Sequence, residues 1–346
     1  MPDEVDVDSP TEDRLADSED IDTRSTLGVL QLINAEDAKV AEAVAATLPR
    51  IAELVDATVE RMHRGGRVHY FGAGTSGRLA VLDAAELLPT FNIPPGLVIA
   101  HHAGGPSALV TAAENVEDSV ELGREAAAEL TANDVAIGLT ASGRTPFVGA
   151  ALTVAGEVGA LTALVTSNPS AELAALAEYL IAVDTGPEVI TGSTRLKAGT
   201  AQKMVLNAFS TAVMIRRGRT WSNLMVDMRA TNAKLRGRVV RILVQATGAP
   251  DHVARAALSA ADGELKPALL GLLAGIEGDR ARELLEQCDG SVAAAMAGAN
   301  GAAPLRPPES GPDPAYDTGT TNEPGTTNGS RTTDDPEMTD NTEEKR

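Results

Sequence analysis

Aromatic residues are scarce: Phe, Trp and Tyr make up 2% of the 346 residues, so Ala, Val and Leu must build any core. Cysteine occurs once, at Cys288, which excludes an intrachain disulfide and a cysteine-cluster metal site. His63, His69, His101, His102 and His252 show no spacing that pairs them with carboxylates as metal ligands. No long apolar run is present to span a bilayer, so no membrane association is expected. No basic start followed by an apolar stretch marks a signal peptide, and the expected location is cytoplasmic. Positive charge is also short, with 29 Lys and Arg against 49 Asp and Glu and a net charge of −20. Phosphate-backbone binding needs clustered cations, so nucleic acid is excluded as a partner.

The negative charge is unevenly placed. Residues 1–25 hold ten acids and two bases, residues 301–346 hold ten acids and four bases, and the body between them carries −6. Residues 1–24 read as a mobile acidic segment, and the Pro-, Gly-, Thr- and Asn-rich residues 301–346 as a disordered acidic tail. In 25–56, Leu27, Leu30, Ile33, Val40, Val44, Leu48, Ile51, Leu54 and Val55 fall mostly three or four apart, which predicts N-terminal helices.

An alternating region follows at 57–220. Runs rich in β-formers at 67–71, 96–100, 134–140, 161–166 and 179–183 are interleaved with helical stretches at 77–88, 106–130, 145–158 and 171–177. A long helix at 200–217 closes it. This pattern predicts crossover connections and a mostly parallel sheet covered on both faces, a three-layer α/β domain. Residues 221–238 read as a connector, and 239–300 as a small helical domain of four short segments.

The most informative segment is Phe71-Gly72-Ala73-Gly74-Thr75-Ser76-Gly77-Arg78, directly after a strand and opening a helix. Glycines let the backbone approach an anion, and free amides at a helix start favour negative charge. Gly72, Gly74 and Gly77 also fit a dinucleotide fingerprint. That fingerprint expects an acid at the end of the second strand, where this chain has Ala100-His101-His102-Ala103-Gly104. A second loop, Thr140-Ala141-Ser142-Gly143-Arg144-Thr145-Pro146, follows the third strand. Two hydroxyl-rich loops at the carboxyl edge of one sheet suit a phosphorylated sugar better than a dinucleotide.

These paired loops resemble the phosphate loops of the sugar isomerase (SIS) domain. Pro187-Glu188-Val189-Ile190-Thr191-Gly192-Ser193-Thr194-Arg195-Leu196-Lys197-Ala198-Gly199-Thr200-Ala201-Gln202-Lys203 sharpens the match. It resembles a signature of the N-acetylmuramic acid 6-phosphate etherases. Asn223-Leu224-Met225-Val226-Asp227, Thr231-Asn232-Ala233-Lys234-Leu235, Thr11-Glu12-Asp13-Arg14 and Ser25-Thr26-Leu27 are similar to that family too. The resemblance runs from about residue 11 to 300, including a small UBA-like carboxy-terminal domain. It implies a lyase that removes D-lactate from the C3 ether, without metal or organic cofactor, and a homodimer.

The resemblance implies Glu86 as proton donor and Glu117 as base, with Asp83 and Glu114 as neighbours to be distinguished from them. Thr75, Ser76, Gly77, Ser142, Gly143, Arg144, Thr145, Ser193 and Lys197 are the expected sugar-phosphate contacts, although Lys197 and Arg195 also suit the start of the next helix. The chain departs from the family at Ala85-Glu86-Leu87-Leu88-Pro89, where Ser-Glu-Cys-Pro-Pro is usual. It departs again at Gly104-Gly105-Pro106, where a Glu usually follows the paired glycines. A non-catalytic sugar-phosphate sensor and an aldose–ketose isomerase use the same domain and remain alternatives. Glu86 lies ten residues after Ser76, about 15 Å along an unbroken helix. A hexose spans less from phosphate to C3, so a site shared between two subunits is expected.

Overall fold

A computed structural model describes residues 9–111, 113, 115–227 and 233–299. The expected tail at 301–346, Glu114, and Thr231 and Asn232 of the connector motif lie outside the described residues. Three helices lead in: α1 Thr26–Asp37, α2 Val40–Ala45 and α3 Leu48–His63. The alternating region then runs β1 Val68–Gly72, α4 Gly74–Phe91, β2 Val98–His102, α5 Val120–Ala126, β3 Val135–Leu139 and α6 Pro146–Glu157. It ends with β4 Leu161–Thr166, β5 Tyr179–Ala182 and the long α7 Lys197–Arg216. A two-stranded ribbon, β6 Thr220–Trp221 with β7 Leu224–Met225, leads to α8 Ala233–Thr247, α9 Asp251–Ala260, α10 Leu265–Ala274, α11 Gly278–Gln287 and α12 Val292–Ala299.

The five main strands are parallel, in the order β2-β1-β3-β4-β5. Alternate residues of each strand point to opposite faces and feed separate cores. Val68, Tyr70, Ile137, Leu139, Ala163 and Val165 pack under α3, α4 and α7. Phe71, Ala136 and Leu164 pack under α6 on the other side. This is the predicted three-layer arrangement. Helices α8 to α12 close around a third core that includes Val239, Leu243, Leu269 and Leu285.

The differences from the sequence reading have local causes. The expected helix at 106–130 is a short 3-10 turn at Pro106–Leu109, then a loop, then α5. Ser119 restarts the helix by accepting from the Leu122 amide, and Glu117 O accepts from Phe147 N, which holds the chain off helical geometry. The second strand continues through His102, because His69, Phe71 and His101 stack on one face of the sheet. The carboxy-terminal bundle has five helices rather than four, each break falling at a glycine-bearing turn. Residue 57 falls inside α3, which shares the core of the sheet. Residues 9–24 are docked rather than mobile: Thr11 is fully buried and its carbonyl accepts from Gly192 N.

One buried polar triad ties β1, α4 and α7 together. Tyr70 OH donates to Asp83 Oδ2 at 3.1 Å, and Ser210 Oγ donates to Asp83 Oδ1 at 2.9 Å. Burial pushes the Asp83 carboxyl up to about 6 despite both bonds. Burial has the opposite consequence at His69, which it lowers to about 4 with a smaller contribution from the neighbouring His101 charge. Between about pH 4 and 6 native Asp83 holds a proton that the unfolded chain has released, so its contribution to stability falls as pH rises. Over nearly the same range native His69 is neutral while the unfolded chain is protonated, so its contribution grows with pH. The two trends oppose each other. Asp83→Asn removes the first and leaves the second. The stability of wild type minus that of Asp83→Asn, from urea midpoints, is expected to fall by about 2 kcal/mol between pH 4 and pH 7. A pH-independent difference would show that Asp83 titrates normally.

Candidate functional site

In the order β2-β1-β3-β4-β5 the chain leaves β1 toward β2 on one side and reaches β3 on the other. A crevice opens where the connections diverge, outside the carboxyl ends of β1 and β3. Gly72 and Leu139 are register partners, so the loop at 73–77 and the loop at 140–145 begin on neighbouring strands about 4.8 Å apart. The structure therefore brings the two loops expected from sequence to one edge. Thr75, Ser142, Arg144 and Thr145 are partly buried there, and Ser76 and Gly143 buried.

Helix N-termini leave amides without intrahelical partners, and α4, α5, α6 and α7 all start at this edge. At α4 the N-cap is Ala73, whose side chain cannot accept, so the first amides of the helix are uncapped. At α5 Ser119 caps the helix by accepting from the Leu122 amide. At α6 the first residue is Pro146, which has no N–H, and the next amide, of Phe147, already donates to Glu117 O. At α7 the amides of Lys197 and Ala198 donate to the Glu188 carboxylate at 2.9 and 3.0 Å. Among these starts in the described residues, α4 is the one most open to an external anion, with the Thr75 and Ser76 hydroxyls beside it.

Gly77 serves this loop differently from expectation. Its amide is committed to Ala73 O, so it does not offer a donor to a ligand. A Cβ there would lie 2.5 Å from Gly72 O and 2.6 Å from His102 Cδ2, so the position needs glycine for close approach. His102 is wedged beneath the loop, with Nδ1 2.7 Å from Ala103 O and Nε2 3.3 Å from Gly74 O. In the second loop Thr140 Oγ1 lies 2.8 Å from Thr145 Oγ1 and accepts from Gly143 N, while Asn168 Nδ2 donates to Ser142 O. Gly143 adopts φ +76°, and a Cβ would sit 2.2 Å from that of Ala171.

Lys197 is a correction. Its side chain is buried and Nζ donates to Glu36 Oε2 at 2.7 Å, so it fastens α7 to α1 and is not presented to a ligand. Burial opposes ionisation of Glu36, but hydrogen bonds from Lys197 and Lys39 outweigh it and hold the carboxyl below its ordinary range. Glu188, fully buried, is raised by burial against its two amide bonds. The start of α7 lies beside the first loop, since a Cβ added at Gly199 would meet the Thr75 methyl at 3.4 Å. Ser193 lies in the preceding turn, partly buried, with its carbonyl accepting from Leu196 N.

The two candidate carboxylates part company. Glu117 lines a cavity of about 430 Å³ together with Ala73, Gly74, Arg78, His102 and Asn115, beside the uncapped start of α4. Glu86 does not reach it. It lies exposed far along an unbroken α4, on a face that also exposes Leu82, one turn earlier, at 53%. Sequence reasoning gave no role to Arg78, which the same glycine-rich motif carries, nor to Glu36, which is 161 residues from its partner Lys197.

Known proteins match this chain along the same segments. Residues 50–156 match the glucokinase regulatory protein N-terminal SIS domain, and residues 109–212 match the SIS domain. An N-acetylmuramic acid 6-phosphate etherase of Thermobifida fusca is 59% identical over 267 residues, covering 77% of this chain and 88% of that protein. Proteins of the same name from Streptomyces avermitilis and Pectobacterium atrosepticum are 54% and 52% identical, over 81% and 80% of this chain and 91% and 92% of theirs.

Two substitutions test the construction of the site. Gly77→Ala must displace the Gly72 carbonyl or His102, and is expected to cost about 1–3 kcal/mol and to weaken binding of a hexose 6-phosphate measured by calorimetry. Glu188→Gln leaves one oxygen for two amides and buries an extra donor, with an expected loss of about 1–3 kcal/mol in urea unfolding. Wild-type stability in Glu188→Gln would mean that α7 does not depend on this cap.

Proposed function

Because the chain belongs to the N-acetylmuramic acid 6-phosphate etherase family, we propose that it removes the D-lactyl group from N-acetylmuramic acid 6-phosphate, giving N-acetylglucosamine 6-phosphate and D-lactate. It is a carbon–oxygen lyase built on a SIS domain. The observation that carries this reading is the meeting of Glu117 with Ala73 and Gly74, at the uncapped start of α4, around one cavity. The phosphate sits against the amides of α4, with Thr75 and Ser76 on one side and Ser142 and Thr145 on the other.

The chemistry follows from the open-chain sugar. The C2 proton is acidified by the adjacent aldehyde, and the C3 ether oxygen is a leaving group one carbon further on. Glu117 takes the C2 proton, the C3–O bond breaks, and an acid delivers a proton to the departing lactate oxygen. Water then adds at C3 and a proton returns to C2. Two carboxyl groups in different surroundings divide these roles, each transfer being worth about 10²–10⁴ in rate. The acid in this reading is Glu86.

Glu86 reaches the cavity from a second copy of the chain. It lies too far along its own α4 to meet a hexose held at the start of that helix, about 15 Å from Ser76. The exposed Leu82, one helical turn before it, belongs to the face that a homodimer would cover. The reading is completed by a cytoplasmic location and no nucleic-acid partner. Among the described residues, no helix is long and apolar enough to cross a membrane.

Wild-type protein is expected to release D-lactate from the substrate, with Glu86→Gln and Glu117→Gln each slowed by about 10²–10⁴. Absence of lactate release despite tight binding would favour a sensor, and C2 proton exchange without loss of the ether an isomerase. Co-expression of the two variants separates a shared site from a single-chain one. A mixed dimer has one site with both glutamates, so random pairing should restore about a quarter of wild-type turnover. No restoration would place both carboxylates on one chain.

A further inference from the structure

The substrate of the proposed reaction carries two anions, and the phosphate loops account for one. The other is the lactyl carboxylate, attached through C3, where the chemistry occurs. On the etherase reading, the geometry points to Arg78 as the residue that holds this carboxylate and selects the lactyl ether over uncharged ethers.

Arg78 lies one helical turn beyond Gly74 on α4 and lines the cavity that Gly74 and Glu117 also line. It is the only Lys or Arg among the described residues of that lining. Its guanidinium is anchored from one side, with Nε donating to Leu109 O and Nη2 to Ala108 O, both at 2.9 Å. Both acceptors belong to the 3-10 turn at Pro106–Leu109, whose Ala108 also lines the cavity. The two bonds leave Nη1 with no hydrogen-bond partner among the described residues. A guanidinium fixed along one edge with a free end is pre-organised for a carboxylate, because little side-chain entropy remains to be lost on binding.

The placement also suits the order of groups on the substrate. The phosphate occupies the first turn of α4 and Glu117 faces C2, so the C3 substituent projects onto the next turn of the same helix, where Arg78 stands. His102, the other titratable base of the lining, has both ring nitrogens against main-chain carbonyls and is held under the loop. Arg78 is thus the cation of the cavity available to a second anion.

The test compares N-acetylmuramic acid 6-phosphate with its lactyl carboxamide, identical in shape but uncharged at that end. Wild type is expected to prefer the carboxylate by about 10- to 100-fold in kcat/KM, the worth of a charge-assisted hydrogen bond. In Arg78→Met the preference should collapse to about one, while affinity for N-acetylglucosamine 6-phosphate, which lacks the lactyl group, stays unchanged. Arg78→Lys should keep part of the preference. If Arg78 only braces the segment at 108–109, both substrates lose equally in Arg78→Met and the ratio persists; that result overturns the proposal. Should wild type release no lactate, the etherase reading fails instead, and the ratio of Kd values for the two ligands still decides the role of Arg78.

Discussion

The pairing of β3 with β1 on the side opposite β2 is the constraint on which the rest depends. It sends one crossover to each side and leaves the carboxyl ends of β1 and β3 uncovered by either. Every feature of the site is a consequence. The two loops start side by side because Gly72 and Leu139 are partners in the ladder. The start of α4 points into the gap because α4 follows β1 with a single residue between them. Glu117 arrives because its carbonyl is bonded to the start of α6, which follows β3.

The same geometry explains why the start of α4 is open to an anion while its neighbours are closed. A parallel sheet puts several helix N-termini at one edge, and each carries unpaired amides. Leaving all of them open would make an indiscriminate anion trap. Here proline and a main-chain carbonyl close α6, and a buried glutamate closes α7. Closing α7 with Glu188 also removes charge from reach, since Lys197 is drawn away to Glu36. The cavity is left with a small set of polar side chains, Glu117, Arg78, His102 and Asn115 among them.

How much of this was legible in the sequence depends on whether the signal was local. The glycine-rich loop, the strands and the three layers were readable because glycine spacing and alternating apolar residues act within a few positions. The break at Ser119 was local too, but a generally helical composition at 106–130 masked it. The Glu36–Lys197 pair left no trace, because the partners are far apart in the chain and burial alone couples them. Gly77 was expected as a sugar-phosphate contact, but spacing identifies a glycine without saying whether its N–H or its missing side chain matters, and its amide is spent on the helix. Arg78 stood in the quoted motif without a role, because only the cavity shows which side of α4 it serves.

Glu86 illustrates the opposite case, in which a distance computed from sequence survives and acquires meaning. The unbroken run of α4 turns ten residues into a real separation from Ser76. The face around Glu86 exposes Leu82, one helical turn earlier, which costs solvation on an isolated chain and is relieved when a second surface covers it. A shared site would tie the placement of the acid to assembly, since the contact that covers Leu82 would also bring Glu86 to the partner's cavity. Glu117 needs no such event to reach a cavity, because within a single chain it already lines one, exposed to solvent beside the start of α4.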